Sequence, residues 1–462
     1  MLFNSWQFAG FFAVVYGLYL VLSHKWQNRL LLAASYIFYG TWNWRFLGLL
    51  LFTTALDYWI ALLIKDSTDG RRRKLLLATS IAANLAVLGF FKYYNFFAVS
   101  GSEFLALLGV HAQPRLLSLI LPWGISFYTF QSMSYTIDVY RGELVPASDF
   151  FDFSLFVTFF PHLVAGPIMR ATKLLPQVLA PRKVTWEGFY EGCYLFFWGL
   201  FQKVFVADNL AQIVSSVFGA PAPYHGGQVL LGVYAFAFQI YGDFAGYSNM
   251  ARGLGKMMGF EIIVNFNLPY FSTSPSEFWT RWHISLSSWL KDYLYIPLGG
   301  NRDGELNTYR NLMLTMLLGG LWHGANWTFP AWGLYHGLLL IAYRLAKPAE
   351  PRGIWKAVHA LFFFQLTCLG WLVFRAQSLT QAWLMLQSVF AMFGPVPART
   401  LISFAFYVAL LLGLELYQYV RRDLLAIYRW PTAARAAVYL LCYLLLRTHG
   451  SWNANQFIYF QF

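Results

Sequence analysis

Leu47–Ile64 reads LGLLLFTTALDYWIALLI, and Lys65–Lys74, which follows, reads KDSTDGRRRK. The first stretch is apolar and close to the roughly 20 residues that a bilayer-crossing helix needs. The second is a strongly basic loop, of the kind that stays in the cytoplasm. The same alternation runs through the chain. Apolar stretches at 8–23, 29–42, 47–64, 75–97, 116–133, 187–207, 227–250, 357–374, 401–420 and 435–448 are candidate spans, the shorter ones requiring a thinned or protein-lined region. Three of them precede Lys65–Lys74, so the pattern places the N-terminus outside. Basic residues in Arg170–Lys183, in Arg344–Lys356 and at Arg421-Arg422 fall on the cytoplasmic side of the same frame, and the tail Thr448–Phe462 falls outside.

Composition agrees with a lipid-embedded chain. Of 462 residues, 58% are hydrophobic, 20% aromatic and 11% charged, against about 25% charged in soluble domains. The net charge of +13 resides in short loops between apolar runs, so it sets topology and attracts anionic headgroups; nucleic acid is not expected as a partner. Cys193, Cys368 and Cys442 lie in apolar runs without C-x-x-C spacing and read as buried, inert thiols. Phe8–Leu22 has no cleavable pattern and reads as a retained first helix. No polar linker divides the chain, which predicts one membrane domain over 1–462.

Three apolar segments are interrupted. Segment 151–168 carries Pro161, Gly166 and Pro167; segment 275–300 mixes Trp, Arg, His, Ser, Lys and Asp; segment 311–343 is expected to break at Gly319-Gly320 and at Pro330. Broken helices at membrane depth persist only where protein or a water-filled cavity satisfies the freed backbone, and such places commonly hold the site.

His323 stands in Gly319-Gly-Leu-Trp-His-Gly-Ala-Asn-Trp-Thr-Phe-Pro330. A neutral imidazole there is able to take a proton from an attacking hydroxyl and return it to a leaving group; the alternative is a histidine that packs helices. His283 lies in a segment where Arg281, His283, Ser287 and Lys291 include i, i+4 pairs, which predicts a polar stripe lining a tunnel or, alternatively, an amphipathic helix at the interface. Trp282, Trp322, Ser287 and Asn326 accompany these histidines. His336 and His162 read as packing residues, and His24, His111, His225, His359 and His449 belong to no constellation. Asp243 is a candidate to orient a histidine or a helix end. No G-x-S-x-G, H-E-x-x-H, Walker A or G-x-G-x-x-G pattern occurs, and no metal-ligand spacing is present.

Taken together, these motifs resemble the membrane-bound O-acyltransferase (MBOAT) family, and within it the bacterial alginate O-acetyltransferase type. The likeness runs from MLFNSWQF at the start through Leu88–Asn95, Leu121–Ser132, Phe160–Pro167, Arg281–Trp289 and Leu321–Phe329 to Phe457–Phe462. His162 stands where Gln is frequent, and Asn249 where Asp is frequent.

The resemblance implies an all-α polytopic membrane protein, a helical funnel of about ten crossing helices with re-entrant and interfacial helices, its catalytic segments at about 275–343. It implies that His323 is the catalytic histidine and His283 the second active-site position, where many eukaryotic members carry Asn. Trp282, Ser287, Asn326, Trp322, Asp243 and His336 are then expected to line the substrate tunnel.

The implied reaction moves an acyl group, foremost acetyl, from cytosolic acetyl-CoA to an extracytoplasmic polysaccharide such as alginate or cellulose. No permanently bound cofactor or metal is implied. The donor is anionic, and Arg281, Lys291, Arg302 and Arg310, with Arg252 and Lys256, are its expected contacts. A periplasmic relay protein, the polysaccharide and membrane lipids are the expected partners, and the bacterial inner membrane the expected location. Peptidoglycan O-acetylation and D-alanyl transfer are alternatives with the same chemistry. A transporter with a histidine proton relay is an alternative of another class; it calls for inverted halves or several membrane acids, and the sequence reading finds neither.

Overall fold

The computed structural model describes residues 1–164, 166–452 and 457–458. Ala165 of the Phe160–Pro167 motif and most of the Phe457–Phe462 motif lie outside the described residues. The described chain is helical and contains no strand. Among the described residues, five helices are long and apolar enough to cross a membrane: Arg45–Asp66, Gly70–Leu107, Gly226–Met257, Ile354–Arg375 and Ala398–Arg421. Trp6–Val21 is apolar but shorter. Large apolar side chains such as Trp59 and Phe362 face outward, 61% and 58% exposed, which suits lipid and not water.

Two compact units make up the chain. The first comprises Met1–Cys193 with Ala251–Ile263. Several of its buried polar side chains are paired. Asp57 accepts hydrogen bonds from Ser80 Oγ at 2.6 Å and from Asn84 Nδ2 at 3.0 Å. His162 Nε2 meets Gln131 Oε1 at 3.0 Å, which fits its reading as a packing residue. Arg182 donates to Tyr19 Oη at 2.8 Å and Asn28 Oδ1 at 2.7 Å, and lies over the Phe260 ring.

The second unit comprises Tyr194–Met250 with Val264–Phe462 and contains both candidate histidines. Lys203 sits fully buried between Asp208 Oδ1 at 2.8 Å and Asp243 Oδ1 at 2.7 Å. Glu415 accepts from Tyr241 Oη at 2.7 Å. With Asp57, the chain therefore holds several buried acids, of which the sequence reading singled out Asp243 and overlooked Asp57, Asp208 and Glu415. Each is tied to a structural partner, as intramembrane acids must be.

Four local expectations are corrected. The stretch 116–133 is not one helix: regular structure is lacking up to Pro122, and the helix Ile125–Arg141 begins after Gly124. Gly124 is left-handed, φ 73°, and a Cβ there would meet Leu163 O at 2.5 Å. Lys65–Lys74 is mostly helix. Only Ser67–Asp69 separates Arg45–Asp66 from the next helix, whose first turn holds the arginine cluster and is capped by Asp69 accepting from Arg71 N. Basic residues oppose the dipole at that end, so they are not there to stabilise the helix.

The third correction bears on the site. Helix Glu305–His323 runs straight through Gly319-Gly320 and stops after His323; the next helix, Thr328–Ala346, carries Pro330 in its first turn, where a missing N–H is harmless. The glycines serve close packing instead. A Cβ on Gly320 would lie 2.3 Å from Phe329 O, and one on Gly333 would lie 2.2 Å from Met316 O. Finally, Cys193 is only half-buried, while Cys368 and Cys442 are buried.

Candidate active site

His283 lies between two short helices, Pro275–Arg281 and Ile284–Leu290. Ser274 starts the first by accepting from Glu277 N, while Glu277 Oε2 reaches back to Thr273 N at 2.8 Å. His283 itself adopts a left-handed backbone, φ 44° and ψ 53°, and caps the second helix. Its Nδ1 accepts from Leu286 N in a long bond of 3.4 Å. An accepting Nδ1 puts the proton of the neutral ring on Nε2, which is thereby a donor.

Asn265 holds this turn. Its backbone O accepts from Ile284 N at 2.9 Å, and its Oδ1 accepts from Ser285 N at 3.1 Å and Ser285 Oγ at 2.9 Å. Its own Nδ2 donates to Ser248 Oγ on helix Gly226–Met257. Sequence reasoning missed Asn265. The signal was one of two asparagines, with Asn267, in the extended, largely apolar run before Pro269, too weak to single out.

His323 is the last residue of helix Glu305–His323 and is 3% exposed; His283 is fully buried. Trp322 joins them. Its ring lies 6.0 Å from that of His283 and 5.1 Å from that of His323, so the imidazoles are no farther apart than those two spans combined. Trp332 and Phe374 stand edge-on to His323 at 5.1 and 5.3 Å, and Phe244 stands edge-on to His283 at 4.6 Å. Trp282 is buried beside them, 4.9 Å from Trp371, which stacks on Trp332. Two imidazoles thus share a buried aromatic enclosure, in which hydrogen bonds and charges act more strongly than in water.

The other expected site residues divide. His336 belongs to the same aromatic file, 4.8 Å from Trp332. Ser287 Oγ donates to Trp282 O and closes the turn around His283. Asn326 accepts from Thr328 N and donates to Gln377 O, fixing the loop after His323. Asp243 orients no histidine: its oxygens engage Lys203 Nζ and Ile458 N, the latter at 2.7 Å. The expected polar stripe is not continuous, because the left-handed turn at His283 separates Arg281 from Ser287 and Lys291.

Of the expected donor contacts, Arg281 is held by Glu277 and by Asn267 O. Arg302 donates to the carbonyls of Gly299 and Ile296, and Arg310 to Asn311 Oδ1. Lys291 is exposed. Lys256, of the first unit, lies against Glu191 and Glu261.

The model of the membrane-bound O-acyltransferase family matches residues 143–383, which takes in both histidines and their enclosure. The chain belongs to the membrane-bound O-acyltransferase family. It is 47% identical to the probable alginate O-acetylase AlgI of Azotobacter vinelandii over 85% of this chain and 78% of that one. Identity to the probable alginate O-acetylase AlgI of Pseudomonas aeruginosa is likewise 47%, over 85% and 75%. The peptidoglycan O-acetyltransferase of Helicobacter pylori is 37% identical over 79% and 74%. Family and helices together make the chain a multi-pass, membrane-bound acyltransferase, and the transporter alternative is set aside.

Proposed function

We propose that this membrane-bound acyltransferase moves an acetyl group from acetyl-CoA to a polysaccharide of the alginate type outside the cytoplasm, through a periplasmic protein that receives or relays it. The observation that carries the reading is the pair of buried histidines whose rings both pack against Trp322, one of them held with its Nε2–H as a donor. The 47% identity to alginate O-acetylases favours that acceptor over peptidoglycan, where the relative is 37% identical. D-alanyl transfer is less favoured: the teichoic acid D-alanyltransferase of Bacillus subtilis is 27% identical over 58% of the chain.

In this reading the acceptor hydroxyl attacks the thioester carbonyl carbon while His323 takes its proton. The carbonyl oxygen gains charge and accepts from His283 Nε2–H, as oxyanion stabilisation requires. The C–S bond then breaks, the proton passes from His323 to the departing thiolate, and the ester and free thiol leave. Phe244, Trp332 and Phe374 keep water from hydrolysing the thioester.

His323→Gln tests it. Glutamine keeps hydrogen-bonding capacity but takes no proton at neutral pH. Transfer is expected to fall by about 10² to 10⁴, with expression and melting temperature near wild type. The measurement is polymer O-acetyl content in cells that lack the native enzyme and express the wild type or the variant. Wild-type acetylation by stably folded His323→Gln would overturn the assignment.

A further inference from the structure

Lys203 lies in the π-helical turn Phe201–Ala207, a rare geometry that recurs at functional sites. The turn packs closely on helix Gly226–Met257: a Cβ on Gly246 would lie 2.7 Å from Gly199 O and 3.1 Å from Lys203 N. The Lys203 ammonium meets Asp208 Oδ1 at 2.8 Å and Asp243 Oδ1 at 2.7 Å, and stands 5.6 Å from the centre of the Tyr247 ring. Asp243 Oδ2 accepts from Ile458 N. Taking such charges out of water is costly, and a buried ion pair often adds no more stability than apolar side chains of the same volume. What a cluster of this kind fixes is register, because each member is satisfied only when the others are in place.

The element whose register it fixes also supports His283. Asp243 and Tyr247, spaced i, i+4 on helix Gly226–Met257, face Lys203. Phe244 and Ser248, the next residue in each case, face the His283 turn. Phe244 stands edge-on to the His283 ring at 4.6 Å. Ser248 Oγ accepts from Asn265 Nδ2 at 3.3 Å, and Asn265 Oδ1 holds Ser285 N and Oγ. Neighbouring residues of a helix point about 100° apart. A rotation that frees Asp243 from Lys203 therefore also swings Phe244 and Ser248 away from the turn. His283 Nδ1 accepts from Leu286 N in a long bond of 3.4 Å, so packing on the ring has a share in its aim.

We propose that Lys203 and Asp243 are positioning residues for acyl transfer. Without touching the reacting groups, the ion cluster sets the rotation of helix Gly226–Met257, and through Phe244 and Ser248 that helix holds His283 Nε2–H toward the carbonyl oxygen. The inference rests on the reading of His283 as the oxyanion donor. It gives Asp243 an indirect part in orienting a histidine that it does not contact.

Asp243→Asn tests it. The amide oxygen still accepts from Ile458 N and Lys203 keeps Asp208, but the charge tying the helix to Lys203 is gone. The full chain is assayed in inverted membrane vesicles from polymer-making cells, with acetyl-CoA added outside. Per folded enzyme, kcat is expected to fall about ten- to hundred-fold, with KM for acetyl-CoA unchanged. In a His283→Ala background the same substitution should cost little more, because residues that act through one group are not additive. Phe244→Leu leaves the ion cluster intact and should show the same loss of kcat and the same dependence on His283; it decides the matter if Asp243→Asn does not fold. Asp57→Asn, a buried acid held by Ser80 and Asn84 in the first unit, is the stability control and should lower the melting temperature without changing kcat. Wild-type kcat in Asp243→Asn or in Phe244→Leu overturns the proposal. So do losses that multiply in the His283→Ala background, or an equal fall of kcat in Asp57→Asn, since kcat then follows stability alone. A wild type that transfers nothing from acetyl-CoA, or a His283→Ala with wild-type kcat, overturns first the functional reading on which the inference rests.

Discussion

His283 is the residue whose backbone is most constrained by its task. A non-glycine residue at φ 44° is held against a cost of about 1–3 kcal/mol, and such strain clusters at functional sites. Asn265 supplies the restraint with three accepted hydrogen bonds. Asn265→Ala is therefore expected to lower stability by about 1–3 kcal/mol and to reduce kcat more than it raises KM, because it loosens a positioned donor and leaves donor binding intact; kinetics with acetyl-CoA check the split. Asparagine tolerates the left-handed region and its amide also donates. His283→Asn should thus retain much more transfer than His283→Ala, which is expected to lose about 10²–10³. Equal loss in both, measured as polymer O-acetylation, would count against the donor role.

At the scale of elements, the helix pair Glu305–His323 and Thr328–Ala346 decides where His323 ends up. Gly320 and Gly333 let the backbones meet, and His323 terminates its helix at the short loop between them. Gly333→Ala pushes a methyl group to 2.2 Å from Met316 O, a clash with backbone that no rotamer relieves. Overpacking of this kind costs about 1–3 kcal/mol, so a lower melting temperature and reduced acetylation are expected together. Gly413→Ala is the control: nothing lies within 4 Å of a Cβ there, and alanine is the better helix former. It should leave melting unchanged or raise it. The same packing bears on His323→Ala: Trp322, Trp332 and Phe374 enclose the ring, so alanine opens a cavity and lowers stability, and glutamine is the cleaner probe.

For the whole molecule, the loop charges make a prediction of orientation. Arg71-Arg72-Arg73-Lys74 starts a helix at the end where its dipole disfavours cations, which leaves topology as the reason for the cluster. A cysteine at position 70 in a background without Cys193, Cys368 and Cys442 is expected to react with a membrane-impermeant thiol reagent only after the cytoplasmic side is opened. Labelling from outside intact cells would invert the topology.

Hydropathy and loop charge by themselves determined an all-helical membrane protein, and the resemblance carried jointly by the motifs from MLFNSWQF through Arg281–Trp289 and Leu321–Phe329 supplied the acyltransferase family and singled out His323 and His283. Those signals are local: apolar run length answers to bilayer thickness, and a histidine inside an apolar run is costly wherever it sits. Only the tertiary structure decided what depends on distant segments meeting. It packed both histidines against Trp322, brought Asn265 under the His283 turn, and gave Asp243 to Lys203 instead of to a histidine. It also moved the break from Gly319-Gly320 to the residues after His323, because whether a glycine pair breaks a helix or admits a neighbour is set by the backbone packed against it.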